Sequence, residues 1–143
     1  MRIIIINGPN LNLLGKREPE VYGASSFEEY FEELKKQNSS HELEYYQSNI
    51  EGELVEKIQK ADEDFDGILL NAAAYTHTSV AIHDAIGAIK TPVIEIHISN
   101  IYKREEFRHK SIISSKCIGL IAGLGLKGYQ LGIDYFVGSK KES

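Results

Sequence analysis

The amino-acid sequence predicts one domain of the α/β class over residues 1–143, a three-layer, doubly wound sheet of five parallel strands. Size is the first observation behind this prediction, since 143 residues with 42% hydrophobic side chains can bury one core. The second is order along the chain, in which short apolar runs alternate with segments of helical periodicity. Strands separated by single helices favour parallel pairing with right-handed crossovers, which places helices on both faces of the sheet.

The first strand and the first helix carry the strongest local patterns. Four consecutive isoleucines at residues 3–6 predict a strand that is buried on both faces. Ser25 and Ser26 precede Glu28 and Glu29 by three residues, which is the spacing of a capping box, so a helix is predicted to begin there. Its buried face is marked by four residues at helical spacing: Phe27, Tyr30, Phe31 and Leu34.

The remaining elements follow in alternation. Further strands are predicted at four apolar runs: residues 43–46, 67–70, 93–98 and 117–122. Further helices are predicted at an amphipathic segment with Leu54, Val55, Ile58 and Ala61 on one face, at residues 80–89 before Pro92, and at residues 126–136. The lysine-rich residues after the last helix are expected to fray.

Composition argues against several classes of partner. The formal net charge is −5, so we expect neither general binding of nucleic acid nor attraction to an anionic membrane. No apolar run approaches the roughly 20 residues of a membrane span, and no charged-then-apolar leader opens the chain. The single cysteine, Cys117, is expected to pack as a small hydrophobe, which favours a reducing, cytoplasmic location.

Unusual polar residues are concentrated at the ends of three predicted strands. The first strand leads into Asn7, Asn10, Asn12, Arg17 and Tyr22. The third leads into Asn71, Tyr75, Thr76, His77, Thr78 and Ser79. The fourth carries or leads into Glu95, His97, Ser99, Asn100, Arg104 and Arg108. Ligands of open α/β sheets bind beyond the carboxyl ends of the strands, so the three sets form one site if these strands are neighbours.

Two pairs within these sets suggest acid–base chemistry. Glu95 and His97 are two residues apart in a strand and therefore share a face. A carboxylate beside an imidazole fixes its tautomer and stabilises its protonated form, as a general acid requires; a buried pair with a structural role is the alternative. Arg17 lies five residues before Tyr22, and a guanidinium could make that phenol a base, whereas the alternative is a surface arginine on a loop.

Other motifs support competing functions less well. Residues 123–128 match G-x-G-x-x-G, yet only 15 residues follow Gly128, too few for the rest of a dinucleotide-binding unit. A tight turn and close helix packing explain these glycines better. Ser79, with His77 and Asp84, has poor spacing for a nucleophilic triad.

A metal site is also disfavoured. No Cys pair and no H-E-x-x-H spacing supports one, although four candidate ligands exist: His77, Glu95, His97 and His109. We therefore expect no metal.

Several blocks of the sequence resemble type II 3-dehydroquinate dehydratase. They are residues 7–15 (NGPNLNLLG), 17–23 (REPEVYG), 47–49 with 51–53, 74–79 (AYTHTS), and 95–100 (EIHISN) running through 104–105 to 107–109. The resemblance covers almost the whole chain in order. It departs at Ala72-Ala73, where the family usually has Pro-Gly, and at His83, where an arginine is common.

The resemblance implies a flavodoxin-like fold and a reaction. The implied reaction is dehydration of 3-dehydroquinate to 3-dehydroshikimate through an enolate, in the shikimate pathway, with no metal and no organic cofactor. It makes Tyr22 the base, with Arg17 and Arg104 stabilising its phenolate, because ionising a tyrosine of ordinary pKa at neutral pH costs roughly 4 kcal/mol. It makes His97 the acid, with Glu95 orienting it.

The resemblance also implies how substrate is held. Asn10 is expected to hold a water that stabilises the enolate. The other implied ligand contacts come from Asn71, His77, Asp84, the backbone of Ile98, Ser99 and Arg108. Family members are dodecamers built from trimers, in which Asp84 reaches a neighbour's site. Two other functions stay open at this point: a flavin- or nucleotide-binding module on the same fold, and a catalytically silent relative.

Overall fold

A computed structural model describes residues 1–16, 20 and 25–142 of the chain. Its strands are β1 (Arg2–Asn7), β2 (Glu42–Gln47), β3 (Gly67–Asn71), β4 (Val93–His97) and β5 (Gly119–Ala122). Its α-helices in these ranges are α1 (Phe27–Gln37), α2 (Glu51–Asp64), α3 (Val80–Ala88) and α4 (Lys127–Glu142). The strands are all parallel and lie in the order β2-β1-β3-β4-β5, which is the flavodoxin-like order. The predicted fold class is confirmed.

The sheet separates two hydrophobic cores, because successive side chains of a strand point to opposite faces. Ile3 and Ile5 of β1 belong to one core, and Ile4 and Ile6 belong to the other. Helices α1 and α4 cover the first face, mainly through Phe27, Phe31, Leu34, Tyr129, Ile133 and Phe136. Helices α2 and α3 cover the second face, mainly through Leu54, Ile58, Ala61, Ile82, Ala85 and Ile86. The result is the three-layer arrangement expected from the periodicity.

The predicted start of the first helix is confirmed, and the predicted end of the last helix is wrong. Ser26 is the N-cap of α1, and its hydroxyl accepts a hydrogen bond from the backbone N–H of Glu29 at 3.2 Å. Helix α4 does not end near Phe136 but continues to Glu142. Val137 packs against the core, which gives the helix a buried contact beyond its predicted end.

Cys117 lies just before β5 rather than inside it. The side chain packs against the core on the α2 and α3 face, as predicted for a small hydrophobe. Burial, together with the negative charge of Glu95, raises the pKa of its thiol to about 12. The helices in the described part of the chain include none long and apolar enough to cross a membrane.

Close packing of α4 on the sheet depends on a glycine, which gives a first prediction. A Cβ added to Gly132 would lie 2.6 Å from Cδ2 of Leu69, which is fully buried and has little room to move. We expect Gly132→Ala to lower the free energy of unfolding by about 1–3 kcal/mol, measured by chemical denaturation. Gly138→Ala in the same helix meets no atom within 4 Å and is the control, expected to be stabilising by about 0.5–1 kcal/mol. Equal effects of the two substitutions would contradict the packing described.

Candidate active site

A cavity opens at the carboxyl ends of β1, β3 and β4, which are neighbours in the sheet. Described members of all three predicted sets of polar residues line it, so these members converge as expected. Eight of the predicted site residues line the cavity: Asn10, Asn71, His77, His97, Ile98, Ser99, Arg104 and Arg108. Its other lining residues are Pro9, Leu11, Leu13, Leu14, Ala73, Ala74 and Ile101.

Two other predicted site residues, Glu95 and Asp84, are described by the structure and do not line this cavity. Glu95 is completely buried and lies behind His97. Asp84 is exposed on α3, where its carboxylate pairs with Nδ1 of the adjacent His83 at 2.8 Å. Arg17 and Tyr22 lie outside the residues that the structure describes.

The Glu95–His97 pair has the arrangement predicted from their spacing in the strand. Oε2 of Glu95 lies within hydrogen-bonding distance of Nε2 of His97, and both side chains are buried. An ionised carboxylate can only accept, so Nε2 carries the proton of this bond. Nδ1 is then the nitrogen of His97 that is left to exchange a proton with a ligand.

Two serines complete the carboxylate's hydrogen bonds. Oε1 of Glu95 accepts a hydrogen bond from the hydroxyl of Ser111 at 3.1 Å and another from the hydroxyl of Ser114. Burial by itself would raise the pKa of Glu95. The hydrogen bonds from His97, Ser114 and Ser111, with the charge of the imidazole, outweigh burial and hold that pKa below its ordinary value. Glu95 is therefore an anion inside the fold.

His77 forms the second imidazole of the site. Its Nδ1 lies 2.8 Å from the carbonyl oxygen of Lys110, which can only accept, so Nδ1 carries a proton. The rings of His77 and His97 are stacked, with centroids 6.4 Å apart and planes 18° apart. Over the described ranges no group of three or more His, Cys, Asp or Glu side chains could hold a metal ion.

A buried network fixes Asn71 on the cavity wall. The hydroxyl of Tyr129 donates to Oδ1 of Asn7 at 2.8 Å and accepts from Nδ2 of Asn71 at 3.0 Å. Oδ1 of Asn71 accepts from the backbone N–H of Ala73 at 3.1 Å. Burial raises the pKa of Tyr129, so this tyrosine stays neutral and serves as a fixed donor and acceptor.

Asn10 has a left-handed backbone with φ of 72°, a conformation that asparagine tolerates better than most residues. Its backbone N–H donates to Oδ1 of Asn49 at 2.9 Å, and Nε2 of Gln47 donates to the same oxygen at 3.1 Å. The 47–49 block therefore holds the first residues of the β1 loop in place.

Arginines supply the positive charge of the cavity. Nε of Arg108 donates to Oε1 of Glu105 at 3.1 Å, and Nη1 of Arg104 lies 3.5 Å from the hydroxyl of Ser99. The pKa of Glu105 is lowered by hydrogen bonds from its own backbone N–H and from Arg108. Two guanidinium groups at one cavity favour binding of a small anion such as a carboxylate.

The competing motifs have structural explanations. Gly123 and Gly125 have positive φ of 87° and 67°, and a Cβ on Gly123 would lie 3.0 Å from Cβ of Asn100. The predicted turn is confirmed. The hydroxyl of Ser79 caps α3 by accepting from the N–H of Ile82 at 2.9 Å and also donates to Glu51, so it is not placed as a nucleophile.

Sequence analysis missed several contributors to the site. Ser111 and Ser114 contact Glu95, Tyr129 fixes Asn71, and the carbonyl of Lys110 orients His77. The serines lie in a short polar stretch between β4 and β5, and that stretch was the available signal. No pattern in the sequence indicated the contacts of Tyr129 or of the backbone carbonyl.

Comparison with known proteins gives a consistent result. A family model described as dehydroquinase class II matches residues 1–137. A 3-dehydroquinate dehydratase of Campylobacter jejuni subsp. jejuni (strain 81-176) is 55% identical over 135 residues, which are 93% of this chain and 85% of the relative. The enzyme of the same name from Prochlorococcus marinus (strain NATL1A) is 50% identical over 139 residues, 96% of each chain.

Solved structures agree with the sequence relatives. The crystal structure of a type II dehydroquinase from Butyrivibrio crossotus DSM 2876 superposes with a TM-score of 0.91 at 46% identity, covering 95% of this chain and 97% of that one. The type II dehydroquinase from Propionibacterium acnes gives a TM-score of 0.89 at 40% identity and covers 94% of each chain.

Ala73, on the cavity wall, has a strained backbone with φ of 53°. A residue with a Cβ pays about 1–2 kcal/mol in this conformation, and glycine avoids that strain. We expect Ala73→Gly to raise the free energy of unfolding by about 1 kcal/mol, seen as a higher Tm. Ala74→Gly, at a neighbour without positive φ, is the control and should lower it by about 0.5–1 kcal/mol. A lower Tm for Ala73→Gly would show that the backbone at residue 73 is not strained.

Proposed function

The chain belongs to the class II dehydroquinase family, and on that premise we propose that it eliminates water from 3-dehydroquinate in the cavity between β1, β3 and β4. The product is 3-dehydroshikimate, so the enzyme is a hydro-lyase of the shikimate pathway, which leads to chorismate and the aromatic amino acids. The observation that carries the proposal is the buried Glu95–His97 pair at a cavity that two arginines also line.

The substrate is a β-hydroxy ketone, and its dehydration needs a base, enolate stabilisation and an acid. In the proposed reaction the phenolate of Tyr22 takes the proton next to the ketone, and the electrons of that C–H bond form the enolate. Arg17 and Arg104 stabilise the phenolate. The assignments of Tyr22 and Arg17 come from the family resemblance, whereas Arg104 also lines the cavity.

His97 then acts as the acid. As the enolate re-forms the ketone, the bond between carbon and the departing hydroxyl breaks, and the hydroxyl takes a proton from His97 to leave as water. Since Glu95 occupies Nε2, the proton is delivered from Nδ1. Before the transfer, the anionic Glu95 compensates the positive charge of the protonated His97 ring. After the transfer, the hydrogen bond from Nε2 to Glu95 keeps the ring in the same orientation. These steps need only protein side chains.

The remaining wall residues bind the substrate. A guanidinium fork matches a carboxylate, so Arg108 is proposed to bind the substrate's acid group. Asn71, His77, Ser99 and the backbone of Ile98 are proposed to donate to or accept from its oxygen atoms. Asn10 is proposed to hold the water that stabilises the enolate oxygen.

We also propose a homo-oligomer, a dodecamer built from trimers, in which Asp84 contacts the substrate of a neighbouring subunit. Asp84 is exposed on α3 and does not line the cavity of its own chain, which supports a role across an interface. Val80 of the same helix is 62% exposed and could be covered there. A cytoplasmic location is proposed because the free Cys117 suits a reducing compartment.

Replacing the proposed base tests this function. Tyr22→Phe removes the phenolate oxygen that takes the proton, so kcat should fall about one hundredfold or more with little change in KM. Formation of the conjugated enone, followed by absorbance on adding 3-dehydroquinate, measures the rate. Tyr135→Phe is the matched control, since Tyr135 is 56% exposed on α4 and does not line the cavity, and it should leave turnover unchanged.

Two results would count against the proposal. Absence of enone absorbance when the unaltered protein is mixed with 3-dehydroquinate would exclude the reaction itself. Turnover of Tyr22→Phe close to that of the unaltered enzyme would exclude Tyr22 as the base.

A further inference from the structure

We propose that Ser111 and Ser114 are positioning residues for the dehydration, which keep Glu95 in the orientation that aligns His97 for proton transfer. This inference rests on the proposed function, because it concerns the same acid. Neither serine lines the cavity, and both hydroxyls contact Glu95, so the proposed effect on the reaction acts through that carboxylate.

Both hydroxyls converge on one oxygen of the carboxylate. Ser111 and Ser114 donate to Oε1, while Oε2 contacts Nε2 of His97. The hydroxyl of Ser111 also accepts from the backbone N–H of Ser114 at 3.2 Å, which leaves its proton for Glu95. Each carboxylate oxygen therefore has its own donors. A rotation of the carboxylate that exchanged the two oxygens would break these hydrogen bonds.

The serines matter because Glu95 has no exposure to solvent. A buried anion that loses its donors has no water to replace them, and the loss favours protonation of the carboxyl group. A neutral Glu95 would no longer compensate the charge of a protonated His97. It could also donate to Nε2 instead of accepting from it, which would change the tautomer of the ring.

The segment that carries the serines has further anchors besides their hydroxyls. The N–H of Ile112 donates to the carbonyl of Thr76 at 3.0 Å, and the carbonyl of Lys110 accepts from His77 at 2.8 Å. Ile113 is fully buried in the core on the α2 and α3 face. Removal of a serine hydroxyl should therefore leave the backbone of residues 110–114 in place.

Few other titratable groups surround Glu95 among the residues described. His97 contacts it directly, and the ring of His77 stacks with that of His97. The thiol of Cys117, whose pKa is raised to about 12, stays neutral at working pH. Arg104 lines the same cavity as His97. A pH effect of the serine substitutions therefore reports on the Glu95–His97 pair.

The experiment compares kcat, KM and pH profiles of Ser111→Ala, Ser114→Ala and the double variant with the unaltered enzyme. Hydrogen bonds to a charged group are strong, so we expect the double variant to lose about ten- to one-hundredfold in kcat with KM nearly unchanged. Because the serines lower the pKa of Glu95, their removal raises it. The acid limb of the kcat/KM profile should therefore move to higher pH.

Two further variants separate positioning from structure. Ser115→Ala is the control, since Ser115 is exposed in the same segment, and it should behave like the unaltered enzyme. Ser114→Thr keeps a hydroxyl and should recover most of the activity lost in Ser114→Ala. In infrared spectra taken along a pH series, the protonated carboxyl band should appear at higher pH in the double variant than in the unaltered protein, and Glu95→Gln should abolish it, which is a readout independent of turnover.

The outcomes are distinct. An unchanged kcat and an unchanged pH profile in the double variant would overturn the proposal. It would also be overturned if kcat fell only in proportion to a lower Tm and Ser114→Thr did not restore it, because a structural role would explain that result. If the double variant does not fold, the single variants test the same expectations at smaller amplitude. Absence of turnover in the unaltered enzyme would instead refute the proposed function, and the infrared result would still decide whether the serines keep Glu95 ionised.

Discussion

A carboxylate buried in the middle of the sheet is the constraint on which the site depends. Glu95 lies in β4, between β3 and β5, and the residues of β4 other than Glu95 and His97 are aliphatic and buried. A charge in such a place is strongly unfavourable unless every oxygen has a donor. His97 supplies one donor from the same strand, and the segment before β5 supplies two hydroxyls. The requirement to satisfy one anion thus adds a further link between β4 and a loop that Ile112 and Ile113 also anchor.

Regular strand pairing brings the rest of the site to this anion. Asn7 and Asn71 are register partners at the ends of β1 and β3, and both hydrogen-bond to Tyr129 of α4. The amide on the cavity wall is therefore set by a contact between the sheet and a helix packed on its face. Functional groups held by such rigid elements need little reorganisation when a ligand binds, which suits a reaction that depends on positioned donors.

Sequence patterns were sufficient for the framework and for part of the site. The isoleucine run of β1 and the two-residue spacing of Glu95 and His97 follow from strand periodicity, so both were predictable. The contacts of Ser111 and Ser114 were not, because they join residues 16 and 19 positions from Glu95 through a fold that no local pattern encodes. The helical tail after Phe136 was missed for a similar reason, since Val137 gains its packing partners only in the folded chain.

The most direct test is to locate the protons of the Glu95–His97 pair by neutron crystallography at neutral pH. The account predicts a deuteron on Nε2 of His97, deuterons on the hydroxyls of Ser111 and Ser114 directed at Oε1, and none on Glu95. A deuteron on the carboxyl group of Glu95, with Nε2 of His97 bare, would contradict the claim that a buried anion orients the acid of this site.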